Sequence, residues 1–228
     1  MREFNVLKAY PQPKEPRYVG SNIRTIRNRI IASYRGKEYY DGARENGYGG
    51  FKYDGRWKKV VDSMCKEYNL NENSSILQIG CEKGFLLHDF HEKFPGIKIR
   101  GTEISDYAIE NAMPSVKKFI VKSPPANLPF KEHEFDFVIG IGVVYTLNLA
   151  DAIKCLKEIQ RVGRGKIFIT LGAYRDAKGE RLFRHWTLLG CTILHVDEWV
   201  EVLKEAGYTG DYFFNTADYL NLVEKDSM

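Results

Sequence analysis

Five residues, Gly80-Cys81-Glu82-Lys83-Gly84, follow the short apolar run Ser75–Ile79 and precede a stretch of helical periodicity. Glycines at the first and fifth positions admit positive φ and let a ligand approach the backbone closely. The helix that follows offers free N–H groups at its N-terminus. Nineteen residues beyond Gly84, Glu103 ends the next apolar run. A carboxylate there can accept hydrogen bonds from both hydroxyls of an unphosphorylated ribose. Loop and carboxylate together point to a cofactor that contains a nucleoside. The dinucleotide fingerprint G-x-G-x-x-G is missing, which argues against NAD or FAD.

Groups for an acceptor are sought after the later strands, because ligands of open α/β sheets sit beyond the carboxyl ends of their strands. Tyr145 follows the fourth apolar run. After the fifth comes AYRDAKGERLFRHWTLLGCTILH, read as a long binding segment with Arg175, Arg181, Arg184, His185 and Trp186. His185 is the candidate general base, since an unperturbed imidazole titrates near neutrality. Arg181, Arg184 and Trp186 suit an anionic acceptor. The glycine- and tyrosine-rich stretch from Tyr39 to Trp57 offers Tyr39, Tyr48, Tyr53 and Arg56 as a cover over cofactor and acceptor.

The elements that must hold these groups alternate. Runs at Ser74–Gly80, IKIRGTEI, VKKFIVK, Phe135–Val144 and Gly165–Gly172 read as buried strands, and helical stretches separate most of them. That pattern gives an α/β class with a parallel sheet covered on both faces. YTGDYFFN and DYLNLVEK follow the helix Val196–Gly207, and their short spacing predicts an antiparallel hairpin at the sheet edge. The first 20 residues, with Pro11, Pro13 and Pro16, read as a loosely held extended lead-in. Ser21–Tyr40 reads as a helix with Ile23, Ile26, Ile30 and Tyr34 on one side and Arg24, Arg27, Arg29 and Arg35 on a solvated face. The chain divides into an N-terminal extension and cap, 1–73, and a main domain, 74–228.

Composition narrows the class. Among 228 residues Lys+Arg exceeds Asp+Glu by four, too mild a balance for the dense basic footprint of a nucleic-acid binder. Cys65, Cys81, Cys155 and Cys191 show neither CxxC spacing nor a neighbouring histidine, so no metal site and a reducing cytoplasm are expected. No run has the length of a membrane span, so no membrane insertion is expected.

Several segments resemble the class I S-adenosylmethionine-dependent methyltransferases. ILQIGCEKGFLL is similar to their first motif, and GTEIS to their acidic ribose motif with an apolar residue beside the adenine. ANLPFKEHEFDFVIGIGVVYTL is similar to their adenine-side loop and fourth strand, and LKEIQRVGRGKIFITL to the helix and fifth strand that follow. The resemblance spans about Ser74 to Gly172. It implies a Rossmann-like fold with a mostly parallel seven-stranded sheet, a terminal antiparallel hairpin and here an N-terminal helical cap. It implies S-adenosylmethionine as cofactor, held by Gly80, Cys81, Glu82, Gly84, Glu103, Ile104, Asn127, Leu128, Gly140 and Ile141, and His185 and Tyr145 stand as the catalytic candidates by their positions after the later strands. Three positions depart from the pattern: Gln78 for an acidic residue, Glu82 for a glycine, and Pro124-Pro125, which lack N–H groups for the adenine ring. The Tyr39–Trp57 run with TLLG and GYTGDYFF resembles a bacterial subgroup associated with capsule or other surface-polysaccharide assembly. The expected reaction is O-methylation of a small anionic acceptor, a phosphorylated or nucleotide-linked sugar or related capsule precursor. The alternatives are a non-catalytic scaffold of the same fold and an RNA methyltransferase.

Overall fold

The alternating pattern folds as the composition of its runs dictates, with β-branched and aromatic residues in strands and amphipathic helices over them. The computed structural model describes residues 1–225. Its strands are β1 (Arg2–Glu3), β2 (Arg17–Val19), β3 (Ser75–Ile79), β4 (Lys98–Glu103), β5 (Ile120–Lys122), β6 (Phe135–Gly140), β7 (Gly163–Tyr174), β8 (Leu194–His195), β9 (Asp211–Asn215) and β10 (Leu222–Glu224). Its helices are α1 (Ile26–Ser33), α2 (Lys37–Tyr40), α3 (Lys58–Glu67), α4 (Phe85–Lys93), α5 (Asp106–Glu110), α6 (Leu149–Val162), α7 (Ala177–Trp186) and α8 (Val196–Glu205).

The main sheet has the order β1-β9-β7-β6-β3-β4-β5, with β8 paired to β7. Every pairing in it is parallel. The chain leaves β3 in both directions, so the order reverses between β3 and β6, and the loop after β3 opens into that crevice. Side chains alternate across the sheet as strand geometry requires. Leu77 and Ile79 of β3 join Val138, Leu156, Ile159, Trp199 and Leu203 on the face covered by α6 and α8. Ile76 joins Val60, Met64, Leu87, Phe90, Phe137 and Phe168 on the face covered by α3 and α4. A third apolar cluster, Ala32, Tyr39, Tyr40, Phe51, Ala108 and Leu188, is the core of the cap.

The mostly parallel Rossmann-like sheet is as expected, but the terminal antiparallel hairpin is corrected. α8 is a crossover, which delivers β9 parallel to β7. A helical turn then carries the chain off the sheet, with Leu220 N–H on Thr216 O (3.0 Å) and Leu222 N–H on Ala217 O (2.9 Å). β10 therefore pairs with β2 in a separate parallel two-stranded sheet, and β1 takes the edge beside β9. With β8 the main sheet has eight strands, not seven.

Three local expectations are also corrected. The lead-in is pinned, because Val6 and Leu7 are buried and β1 and β2 pair with C-terminal strands. The 21–40 helix is two short helices, divided where Arg35 adopts φ 47° ahead of Gly36. Its apolar stripe faces outward, with Ile26 77% and Tyr34 78% exposed, while Arg24 and Arg29 turn inward. The expected long loop after β7 contains α7, capped by Asp176, whose carboxylate accepts from Gly179 N–H.

Candidate cofactor and acceptor cavity

Gly80 leaves β3 with φ 61°, and a Cβ at this position would lie 2.5 Å from Val143 Cγ2. Only glycine makes this turn beneath the wall that follows β6. Cys81 N–H then bonds Thr102 O (3.0 Å), which ties the loop to β4. Glu82 follows at φ 52°, and its N–H donates to Glu103 Oε2 (2.8 Å). The Ile104 and Ser105 N–H groups donate to Glu103 Oε1 (2.8 and 2.9 Å). Three backbone donors thus fix a buried carboxylate at the end of β4. A carboxylate has about four lone-pair sites, so one on Oε2 remains for a ligand hydroxyl.

These residues border a cavity of about 290 Å³ that runs from the strand ends outward beneath the cap. Gly80, Glu82, Glu103, Ile104, Ser123, Ile141, Gly142 and Val143 line its inner end. Arg35 stands close to Glu82, and Tyr10, Arg17, Tyr39, Arg44, Tyr48, Tyr145, Trp186 and Tyr219 line the remainder. The lining thus holds Glu82 and Glu103 with Arg35 beside them, while Arg17 and Arg44 stand where the cavity meets an outer groove. Burial, reinforced by repulsion from Glu103, pushes the Glu82 carboxyl up to about 8. Lys83 turns away from the cavity, and its Nζ donates to both oxygens of Asp41 (2.7 Å each) and to Phe51 O (3.3 Å). Tyr107 adds a hydroxyl to the same Asp41 (2.7 Å), so the cofactor loop and the cap are locked together.

The structure brings together Gly80, Glu82, Glu103, Ile104, Ile141, Tyr39, Tyr48, Tyr145 and Trp186 of the residues expected at the site. It leaves several others outside. Cys81 packs beneath the loop against Gly101, and Gly84 serves as the N-cap of α4. Gly140 lies within β6. Asn127 and Leu128 are absent from the lining, and their amides are already used, on Pro124 O (3.1 Å) and Glu158 Oε2 (2.8 Å). Tyr53 bonds Asp89 (2.6 Å), and Arg56 forks onto Asp54. Arg181 pairs with Glu224 and Arg184 with Glu180 (2.9 Å each), both away from the cavity. His185 faces an adjoining outer groove of about 370 Å³.

Even within the cavity the tyrosines differ. Tyr48 Oη is occupied, accepting from Leu188 N–H (2.7 Å) and Leu189 N–H (3.0 Å). Tyr145 is buried, and burial pushes its phenol far above the ordinary range, so it remains a hydrogen-bond donor at neutral pH. Sequence reasoning missed Arg17, Arg35, Arg44, Tyr10, Trp57, Asn215 and Tyr219, all of which line the cavity. Only the aromatic and cationic content of the lead-in could have pointed to the first of these.

The donor set fits a nucleoside cofactor with a cationic tail. Glu103 keeps an acceptor position for a ribose hydroxyl, and Ile104 leaves 41% of its surface uncovered beside it as a flat apolar contact. Glu82 adds a carboxyl farther along the loop, whose charged form a bound cation would favour. The model of the methyltransferase domain family matches residues 77–169, the span from β3 to β7. This stretch is a methyltransferase domain. The match supports methyltransferase as the activity of this domain and S-adenosylmethionine as its cofactor. Solved structures share the fold. YcgJ of Bacillus subtilis superposes with a TM-score of 0.53 at 18% identity, covering 64% of this chain and 66% of its own. A Methanosarcina mazei S-adenosylmethionine-dependent methyltransferase gives 0.51 at 18% identity, over 63% of this chain and 82% of its own. The [4+2]-cyclase SpnF gives 0.53 at 18% identity, over 68% of this chain and 61% of its own. A search of curated protein sequences finds no match. Among the described residues no helix is long and apolar enough to cross a membrane.

Proposed function

We propose that this methyltransferase O-methylates a small anionic acceptor, a phosphorylated or nucleotide-linked sugar or a related surface-polysaccharide precursor, in the cytoplasm. The observation that carries this reading is the continuity of one cavity from Glu82 and Glu103 to Arg17 and Arg44. A cationic cofactor suits the carboxylate end and an anionic acceptor the guanidinium end, so each ligand is drawn to its own half. The cytoplasmic location rests on four unpaired cysteines, one of them exposed.

S-adenosylmethionine supplies an electrophilic methyl group when bound. The chain must align the acceptor oxygen with it and remove the acceptor's proton. Glu82 is the group suited to that removal, because it lines the inner end and titrates close to neutrality. His185 lies in the outer groove, so the base expected from sequence gives way to Glu82 in this reading. Tyr145, which makes no side-chain hydrogen bond among the described residues, donates to the acceptor and orients it. The tyrosine-rich cap excludes water.

The test is calorimetry with S-adenosylhomocysteine, followed by mass spectrometry of sugar phosphates and nucleotide sugars incubated with S-adenosylmethionine. Binding that Glu103→Ala abolishes, and a mass gain of one methyl group on a sugar hydroxyl, are expected. No binding at millimolar S-adenosylhomocysteine, or methylation confined to uncharged acceptors, would overturn the reading.

A further inference from the structure

Two arginines at the mouth of the cavity have little to do within the fold. Arg17 donates one N–H to Leu220 O (2.8 Å), and Arg44 donates one to Gly47 O. A guanidinium has five N–H donors, so most of each fork is unused. Neither pairs with a carboxylate among the described residues, whereas Arg175, Arg181 and Arg184 each do. Glu45, which lines the same outer groove, makes no ion pair with either. The two cations also repel. Partial burial and the charge of Arg44 both lower the proton affinity of Arg17, and partial burial lowers that of Arg44. Holding two like charges together without a counter-ion destabilises the folded chain, and a bound anion would relieve that cost.

Their location adds a second constraint. Arg17 and Arg44 line both the cofactor cavity and the outer groove, and so stand where the two meet. Across that boundary the groove offers Arg24, His185 and the ring of Tyr18, which is 58% exposed. A terminal anion would need only one of the two spaces. A group bonded on both sides would use both.

We infer that Arg17 and Arg44 form a subsite for a bridging phosphate, a diester or pyrophosphate, whose methylated moiety lies in the cofactor cavity and whose other substituent lies in the outer groove. This rests on the proposed anionic acceptor and narrows it to the nucleotide-linked class. A carboxylate fills a single guanidinium fork. A pyrophosphate presents enough oxygens to fill two forks at once and matches their combined charge. Tyr18 then provides an uncovered aromatic face to a base or sugar in the groove.

The experiment is calorimetric titration of inorganic pyrophosphate, sodium acetate and uridine diphosphate, at matched ionic strength, into the full chain saturated with S-adenosylhomocysteine. Arg17→Gln and Arg44→Gln are titrated beside the parent. Pyrophosphate is expected to bind the parent, to bind each variant at least tenfold more weakly, and to exceed acetate by at least tenfold. Uridine diphosphate is expected to bind more tightly than pyrophosphate, through its nucleoside in the groove. Unchanged affinity for S-adenosylhomocysteine shows that the variants are folded. Pyrophosphate binding that survives both substitutions, or acetate binding as tight as pyrophosphate, overturns the subsite. Uridine diphosphate no tighter than pyrophosphate overturns the two-sided arrangement. Failure of the parent to bind S-adenosylhomocysteine would instead strike the proposed function, and pyrophosphate titrated alone would still judge the subsite.

Discussion

Glu82 carries a cost in stability that its proposed chemistry explains. Its ordinary pKa is 4.5, and burial with repulsion from Glu103 raises it to about 8 in the folded chain. Between those values the folded state binds more protons than the unfolded state. Stability therefore falls as pH rises through that window. At pH 7 the loss is at most on the order of 3 kcal/mol. Glu82→Gln removes it, so the variant should melt higher than the parent at pH 8, with the difference shrinking toward pH 5. The same change should lower the rate of methyl transfer by about 100-fold or more if Glu82 is the base. The parent rate should rise with pH and level off at or below about pH 8, because a cationic cofactor can only lower this pKa. A variant with parental activity and a parental pH profile would remove Glu82 from the mechanism. The loop itself was legible in sequence, since Gly80 and Glu103 each close an apolar run of strand character. Glu82 was named at the site from sequence, but its raised pKa was not legible, because its burial and the closeness of Glu103 come from neighbours distant in the chain.

At the scale of elements, α1 is held by the end of α7. Arg29 donates to the carbonyls of Arg184 (2.9 Å), His185 (3.3 Å) and Thr187, and Arg24 donates to that of Trp186. The last carbonyls of a helix lack intrahelical partners, and arginines serve them well. Arg24 also lies over the rings of Tyr48 (5.0 Å) and Trp186 (5.5 Å), so the same contact fixes two walls of the cavity. Arg29→Ala should cost about 1–3 kcal/mol by leaving these carbonyls unpaired. Thermal melting should show that loss, and amide exchange should rise first in 26–33. Melting within 1 °C of the parent would contradict the capping role. The strands and the long helices α6 and α8 were legible because their periodicity is local. The inward turn of Arg24 and Arg29 was not. Their carbonyl partners at the end of α7 lie more than 150 residues away, and nothing in a cationic helix face marks it as inward.

For the whole molecule, members of all three apolar clusters and Arg17 of β2 line one cavity. A ligand bound there should stabilise all of them together. S-adenosylhomocysteine at about 100 times its Kd should raise the free energy of unfolding by about 2.7 kcal/mol. Calorimetric melting should show that gain as one cooperative transition moving upward. If the cap melted separately and unshifted, the cavity would not be a shared element of the fold. Sequence indicated a main domain and an added cap. The closure of the N-terminal segment onto strands some 200 residues later was hidden, because strand pairing across such a distance leaves no periodic trace.

That closure has a consequence during synthesis. Arg2 and Asp211 are bonded to each other across 209 positions. At about 5–20 residues per second, the ribosome completes Asp211 roughly 10–40 s after Arg2. The nucleoside-binding half, from β3 to the wall after β6, is complete well before then. Tyr10 and Arg17 must wait beside it for Asn215 and Leu220 to arrive. The nascent chain can thus form the pocket for its cofactor while its acceptor chamber is still open, and turnover must wait for the strands that close it.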